Sequence, residues 1–279
     1  MPPIEKDTGL GTTYERIALA RLVEELADRY GIASVLEGPA DGITGIRGLN
    51  SVPFAQRGAR VEVALADAEE AELARRVWDG LGLGAAVTVR LADGWNLGGG
   101  DAAFDLVWNF NALPLAPDPE SLLDGMCRAS RRLVLVFVSN TANYGFPVHR
   151  LHHRAARLPW THGSAALMNT RLIERSLRRR GFATRERLLV DVPWWPDIDS
   201  PIEEVAATFL PFLRGRARAS ARLERYTWSA AELPYFDPAR RARLEAGLAR
   251  HALIERARWC PLRPLFAHHR GVLAERRDA

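Results

Sequence analysis

The chain contains few cysteines and no long hydrophobic run, and both absences narrow the class of protein. Its 279 residues include only two cysteines, Cys127 and Cys260, which is too few for a disulfide framework. No apolar run approaches the ~18 residues that a bilayer-spanning helix needs, and the first residues lack the apolar segment of a secretion signal. We therefore expect a cytoplasmic protein without a membrane partner.

Lysine is almost absent as well. Lys6 is the only lysine among the 38 basic residues, so arginine supplies nearly all of the positive charge behind the formal net charge of +4. The arginines are spread along the chain, and their densest group, at 178–180, ends a predicted helix, where the helix dipole favours cations. A nucleic-acid partner is therefore not expected. With 47% hydrophobic residues, a chain of this length can close one large core.

What the sequence does contain is a repeated strand-then-helix order. Thr12 and Glu15 form a capping-box pattern at the start of a predicted helix over 14–30. Strands and helices then alternate along the chain, with strands predicted at 34–37, 60–65, 86–90, 104–110 and 132–138, and helices at 68–83 and 119–129. This order predicts an α/β fold with a doubly wound, Rossmann-like parallel sheet.

The second half of the chain has a different character. A loop bearing histidines and tryptophans over 139–168 precedes a helix at 170–180, which Asn169 caps and Gly181 ends. A strand at 182–192 and a last strand at 265–276 follow, with mainly helical sequence between them. We predict a Rossmann-like domain over 1–192 and 263–279, with a helical insertion or lid over 193–262.

A glycine-rich loop directly follows the strand that ends at Glu37. It carries Gly38, Gly42, Gly45 and Gly48. Glycine allows tight turns, and it lets the backbone N–H groups approach a ligand because it has no Cβ. The loop therefore predicts a bound nucleotide-like cofactor at the carboxyl edge of the sheet.

Four features together resemble the class I S-adenosylmethionine-dependent methyltransferases. They are Glu37 with its glycine-rich loop, the turn Asp93-Gly94-Trp95, the strand 104–108, and the order of the last strands, which in that family makes an antiparallel end to a mostly parallel sheet. The resemblance implies S-adenosyl-L-methionine as the cofactor. The residues that it implies for cofactor binding are Glu37, Gly38, Asp41, Gly42, Asp67, Asp93, Gly94, Trp95 and Asn109.

Three positions depart from the pattern of that family. Pro39 and Asp41 interrupt the usual spacing of the glycines, and Leu65 stands where a carboxylate usually ends the second strand and binds the ribose. Asp67 is the nearest substitute for that carboxylate. These departures keep a second interpretation open, in which a protein of this fold has lost methyl transfer and binds a ligand or catalyses another reaction.

Candidate residues for the methyl acceptor lie later in the chain. His149, His153 and His162 are candidate general bases, because histidine titrates near neutral pH. The candidate substrate-binding residues include Trp194, Trp195 and Trp228, since aromatic rings offer stacking surfaces. Asn111 is a fourth candidate. No set of carboxylates suggests a metal triad, and we expect no metal.

The sequence therefore predicts methyl transfer to an oxygen or nitrogen of a small aromatic or apolar acceptor. An RNA methyltransferase is a further alternative, and a homodimer is left open. His268 and His269 lie in the predicted last strand, where one side chain should point inward and the other outward.

Overall fold

The computed structural model of the chain describes residues 3–40, 45–93, 95, 97, 100–198, 205, 208, 226–257 and 259–277. Three residues predicted to bind the cofactor, Asp41, Gly42 and Gly94, lie outside this set, as does most of the first half of the predicted lid. Among the described helices, none has the length and apolarity that crossing a bilayer requires.

Seven strands form the central sheet, and two more form a small separate ladder. Along the described chain the strands are β1 Lys6–Thr8, β2 Ser34–Glu37, β3 Arg60–Leu65, β4 Val87–Leu91, β5 Phe104–Phe110, β6 Ser130–Ser139, β7 Phe182–Val190, β8 Thr227–Ser229 and β9 His269–Arg276. The central order is β4–β3–β2–β5–β6–β9–β7, and β9 runs antiparallel to both of its neighbours. The prediction of a mostly parallel sheet with an antiparallel last strand is confirmed.

Helices cover both faces of this sheet. The described helices are α1 Leu10–Tyr30, α2 Val52–Gln56, α3 Ala68–Gly80, α4 Pro119–Ala129, α5 Phe146–Ala155, α6 Thr170–Arg179, α7 Pro238–Leu248, α8 Leu253–Arg256 and α9 Arg263–Phe266. Alternate residues of β6 join opposite cores: Leu133 and Leu135 pack with residues of α1, α2 and α3, whereas Val134 and Val136 pack with residues of α4 and α6. The unbroken apolar run of β6 follows from this burial on both faces.

Several predicted boundaries were wrong. Helix α1 begins at Leu10 rather than Tyr14, and its N-cap is Gly9, without a side-chain cap. The capping-box prediction fails because Thr12 lies inside the helix, where its hydroxyl donates to the carbonyl of Thr8 at 2.9 Å. The segment predicted as a loop over 139–168 contains α5, and the start of the predicted last strand folds as α9 instead. Asn169 does cap α6, as predicted, by accepting the N–H of Arg171 at 3.0 Å.

The described part of the predicted lid packs against α1. Strand β8 pairs with β1 near the N-terminus, and Arg241 of α7 reaches Glu24 of α1 at 2.6 Å. A buried ion pair anchors β1, because Asp7 accepts from Arg16 of α1 at 2.9 Å and from the N–H of Ile46 at 2.6 Å. The N-terminal segment and the segment after residue 226 are thus built onto one flank of the Rossmann-like domain.

Candidate functional site

The carboxyl ends of the parallel strands lie at one edge of the sheet, and Glu37 stands there at the end of β2. It is 1% exposed and accepts a hydrogen bond from the N–H of Ser51 at 2.9 Å, just before α2. The Ser51 hydroxyl in turn accepts from the indole of Trp108 at 2.9 Å. Burial raises the pKa of Glu37 to about 7, against the opposing effects of Ser51 and Arg16. Glu37 therefore braces the end of the glycine-rich loop.

The described glycines of this loop allow close packing within the protein. A Cβ at Gly38 would lie 2.6 Å from the side chain of Leu97. Gly48 has a φ of +71°, and a Cβ there would lie 3.0 Å from Val63 and 3.1 Å from Leu65 of β3. Sequence reasoning assigned this loop to a ligand, and in the structure Gly38 and Gly48 also let it pack closely on the sheet.

Strand β3 ends on an apolar residue instead of a carboxylate. Leu65 is fully buried against the loop at Gly48. Asp67, the predicted substitute, is the N-cap of α3, and its Oδ1 accepts the N–H groups of Glu69 at 2.9 Å and Glu70 at 3.1 Å. The position that would bind a ribose is thus apolar at the end of the strand.

The ends of β4 and β5 fit a polar ligand better. Asp93 follows β4 with an exposed side chain, and Trp95 is partly buried against the core on the α4 side. Asn109 of β5 is fully buried, and its Nδ2 lies 3.3 Å from the sulfur of Met126. Within the described chain its Oδ1 is buried without a hydrogen-bond partner. A buried acceptor of this kind is usually satisfied by a ligand, water or ion.

A second group of polar side chains meets just beyond the ends of β5 and β7, at the start of β9. We call it the edge cluster; it consists of Glu15, Asn111, Asp191, His268 and His269. All five are at most 7% exposed. His269 donates from Nε2 to Glu15 at 2.8 Å, and its Nδ1 accepts from the amide of Asn111 at 3.1 Å. His268 Nδ1 lies 2.9 Å from Asp191.

Charge is concentrated in the edge cluster. Burial alone would lower the pKa of His268, but attraction to Asp191 outweighs it and raises the pKa to about 10. Burial also acts to lower the pKa of His269, but its hydrogen bond to Glu15 leaves that pKa raised. Asn111 and Asp191 have left-handed φ values of +56° and +57°, a conformation that Asn and Asp adopt more readily than other residues with a side chain.

The predicted substrate-binding tryptophans are distributed around this edge. The carbonyl of Trp195 accepts from His268 at 3.1 Å, and its ring packs edge-on against Tyr14 at 5.3 Å. Trp194 is 54% exposed and donates to His251 at 2.8 Å. Trp228 lies in β8 and donates to Thr13 at 2.9 Å. Of the predicted acceptor residues, Asn111 and Trp195 thus lie in or beside the edge cluster.

The three predicted bases form a group of their own. His149 and His153 lie on α5, and His162 lies in the loop after it. Ring centroids of His149 and His162 are 4.7 Å apart, and those of His153 and His162 are 5.4 Å apart. The structure therefore brings together the three histidines that the sequence selected.

Sequence reasoning missed most of the edge cluster. Glu15 was read as part of a helix cap, and Asp191 was not selected. The prediction that His268 and His269 point to opposite sides, one inward and one outward, was wrong, because both are 5% exposed and both face Asp191, at 2.9 and 4.0 Å. His268 precedes β9, so strand alternation does not apply to it. The adjacent pair His268-His269 was the one feature of the sequence that could have pointed to this cluster.

Comparisons by sequence and by structure give different results. No protein-family model matches the chain, and no curated protein matches its sequence. Among solved structures, magnesium protoporphyrin IX methyltransferase from Synechocystis PCC 6803 with bound SAH matches with a TM-score of 0.54 at 14% identity, covering 95% of this chain and 84% of that one. At this identity the likeness shows the fold: the chain has the fold of class I S-adenosylmethionine-dependent methyltransferases.

Two further matches differ in the reaction that their names describe. The [4+2]-cyclase SpnF matches with a TM-score of 0.50 at 14% identity, over 92% of this chain and 81% of that one. Geranyl diphosphate C-methyltransferase from Streptomyces coelicolor A3(2) matches with a TM-score of 0.48 at 16% identity, over 92% of this chain and 80% of that one. Among these matches, the methyltransferase with a TM-score of 0.54 and the cyclase with a TM-score of 0.50 carry names that describe different chemistry.

Proposed function

We propose that this protein is an S-adenosylmethionine-dependent methyltransferase that acts on an oxygen or nitrogen of a small organic acceptor. The observation that carries the proposal is the buried, unpartnered Oδ1 of Asn109 at the carboxyl edge of a sheet with the methyltransferase strand order. Glu37, at the end of β2, and Asp93, just after β4, lie along the same edge of the sheet. Bound S-adenosylmethionine would supply an activated methyl group with a neutral leaving group.

The residues of the chain have separate roles in holding the cofactor. Glu37 would orient the methionine end, where the ligand ammonium would balance its charge. Asp93 is exposed and would accept a hydrogen bond from the adenine amino group. Asn109 would face the sulfonium side. Leu65 is fully buried and supplies no carboxylate for the ribose, so cofactor affinity would depend mainly on the other positions.

We place the acceptor beside the edge cluster, because Asn111 directly follows β5 and contacts His269. Methyl transfer requires in-line positioning more than acid–base help. Where the acceptor carries a proton, His269 is the base that we assign to it, and Glu15 would stabilise the resulting imidazolium. The partly buried ring of Trp195, backed by the buried ring of Tyr14, supports an aromatic or apolar acceptor.

Calorimetric titration with S-adenosylmethionine and S-adenosylhomocysteine tests the cofactor. We expect binding to the wild type, about tenfold weaker binding to Asp93→Ala because one hydrogen bond is lost, and unchanged binding to Asp101→Ala. Asp101 is a suitable control because its side chain is 81% exposed and precedes β5, at the opposite edge of the sheet. Equal affinities for both variants would contradict the assignment of Asp93.

The alternative is a protein of the same fold that does not transfer a methyl group. It is favoured by the residues at the ribose position, where Leu65 is apolar and Asp67 caps α3. It predicts that S-adenosylhomocysteine does not bind, or binds without turnover of S-adenosylmethionine. An RNA substrate has less support, since many described arginines pair with carboxylates, among them Arg16, Arg132, Arg180 and Arg241. RNA affinity that is independent of salt would count against it.

A further inference from the structure

Three histidines from α5 and the following loop form a compact, buried group. His149 and His153 are one helical turn apart, and His162 returns to them; the three are 5%, 7% and 9% exposed. The Nε2 atoms of His149 and His153 are 3.0 Å apart, and each of the three histidines has a ring nitrogen within 4.8 Å of the others. We propose that these side chains, the three-histidine site, bind a Zn²⁺ ion.

The hydrogen bonding of His153 fixes which of its nitrogens can bind a metal. Its Nδ1 lies 2.9 Å from the carbonyl oxygen of Pro159. A carbonyl oxygen can only accept, so Nδ1 carries the proton and donates it. The lone pair of His153 is then on Nε2, which is the atom directed at His149. Metal-binding histidines are usually oriented by this kind of outer hydrogen bond.

The donor set and its spacing suit a borderline transition ion. Zn²⁺ binds imidazole nitrogen at about 2.0–2.1 Å, so two nitrogen ligands of a tetrahedral ion lie about 3.3 Å apart. The observed 3.0 Å between His149 and His153 is close to this separation. Mg²⁺ and Ca²⁺ prefer oxygen ligands, which the three histidine rings do not offer. Three imidazoles leave a fourth position for water.

The surroundings hold the third histidine in place. The ring of Trp160 lies 4.7 Å from that of His162 and 5.4 Å from that of His149, forming an apolar wall. Gly163 packs so closely on Pro114 that a Cβ would lie 2.2 Å from its carbonyl oxygen, and Ser164 donates its N–H to the same oxygen at 2.8 Å. The loop that carries His162 is therefore anchored to the segment that follows β5.

A second group has the spacing of metal ligands but differs in its bonding. Glu15, Asp191 and His269 also bring ligand atoms within 4.8 Å of one another. There, the histidine donates to the carboxylate of Glu15 at 2.8 Å, so a proton already joins the two groups. In the three-histidine site a proton also joins two members, because Nε2 of His149 donates to the unprotonated Nε2 of His153, but both partners are neutral rings, and a change of tautomer at His149 would free the two nitrogens for a metal. This proposal replaces the sequence-based expectation of no metal and is independent of methyl transfer.

Metal titration of the full chain tests the proposal. The purified protein is treated with a chelator, dialysed and titrated with Zn²⁺ by calorimetry and with Co²⁺ by visible spectroscopy. His149→Gln, His153→Gln and His162→Gln remove one ligand each. His152→Gln is the matched control, because His152 is on the same helix but its Nδ1 lies 3.1 Å from the hydroxyl of Thr208. Circular dichroism checks that each variant is folded.

We expect one Zn²⁺ per chain, about 100-fold weaker binding in each ligand variant, and unchanged binding in His152→Gln. The wild type with Co²⁺ should show the intense visible bands of a tetrahedral ion with nitrogen ligands, a result that needs no substitution. The absence of Zn²⁺ binding by the wild type would overturn the proposal. A weak octahedral Co²⁺ spectrum, or an equal loss of affinity in His152→Gln, would do the same.

Discussion

Replacing Glu37 with glutamine should change how the stability of the protein depends on pH. The carboxyl of Glu37 is 1% exposed, and burial raises its pKa from 4.5 to about 7 despite the hydrogen bond from Ser51. Glutamine has nearly the same shape, and its amide oxygen can still accept the N–H of Ser51. It does not titrate, so the substitution removes the proton equilibrium and keeps the brace on the loop.

The direction and size of the effect follow from the raised pKa. The folded chain keeps Glu37 protonated up to about pH 7, whereas the unfolded chain releases the proton near pH 4.5. Between these values the unfolded state binds fewer protons, so the stability of the wild type falls as the pH rises. The stabilisation is fully present below pH 4.5 and lost above about pH 7. At about 1.4 kcal/mol per pKa unit, the loss is about 3 kcal/mol.

Urea unfolding at a series of pH values, from about pH 5 to about pH 8, measures this difference. The free energy of unfolding of Glu37→Gln, relative to the wild type, should rise by about 2–3 kcal/mol across this range. Asp101→Asn, at a side chain that is 81% exposed, should follow the wild type. Parallel curves for the wild type and Glu37→Gln would refute the reasoning, because they would show that burial does not perturb this carboxyl.

Three further substitutions test the packing around the site. Gly48→Ala should lower the free energy of unfolding by about 1–3 kcal/mol more than Gly58→Ala does. Both glycines have positive φ, but only a Cβ at position 48 would contact β3. Equal losses in urea unfolding would contradict this. Asp67→Ala should lower the Tm while leaving S-adenosylhomocysteine affinity unchanged in calorimetry, and a loss of affinity would show a ribose contact instead. Arg16→Met should destabilise the fold by about 3–5 kcal/mol in urea unfolding, because it leaves the buried carboxylate of Asp7 unpaired; a loss under about 1 kcal/mol would contradict this.

Much of the sheet could be predicted because its signals are local. The apolar run of β6 and the cap of α6 at Asn169 each depend on a few neighbouring residues. The order of the strands came from the family resemblance. Helix α1 was placed too late because its start depends on pairing between β1 and β8, which are more than 200 residues apart in sequence. A pairing of this range leaves no periodic pattern near Thr12.

The candidate site was harder to predict than the fold. Glu37 was correctly placed at the end of its strand, since an acidic residue there ends an apolar segment. The role of Gly48 could not be read from the loop, because a glycine needed for packing on β3 looks the same as one needed for a ligand. The edge cluster joins residues from α1, β5, β7 and β9, and only the folded sheet brings them within hydrogen-bonding distance.

A crystal structure of the protein grown with S-adenosylhomocysteine would test the central claim most directly. We predict density over the carboxyl ends of β2, β4 and β5, with the adenine amino group bonded to Asp93 and a polar atom of the ligand within hydrogen-bonding distance of Asn109 Oδ1. Density elsewhere on the protein, or no density at saturating ligand, would contradict the account of this edge as a cofactor site.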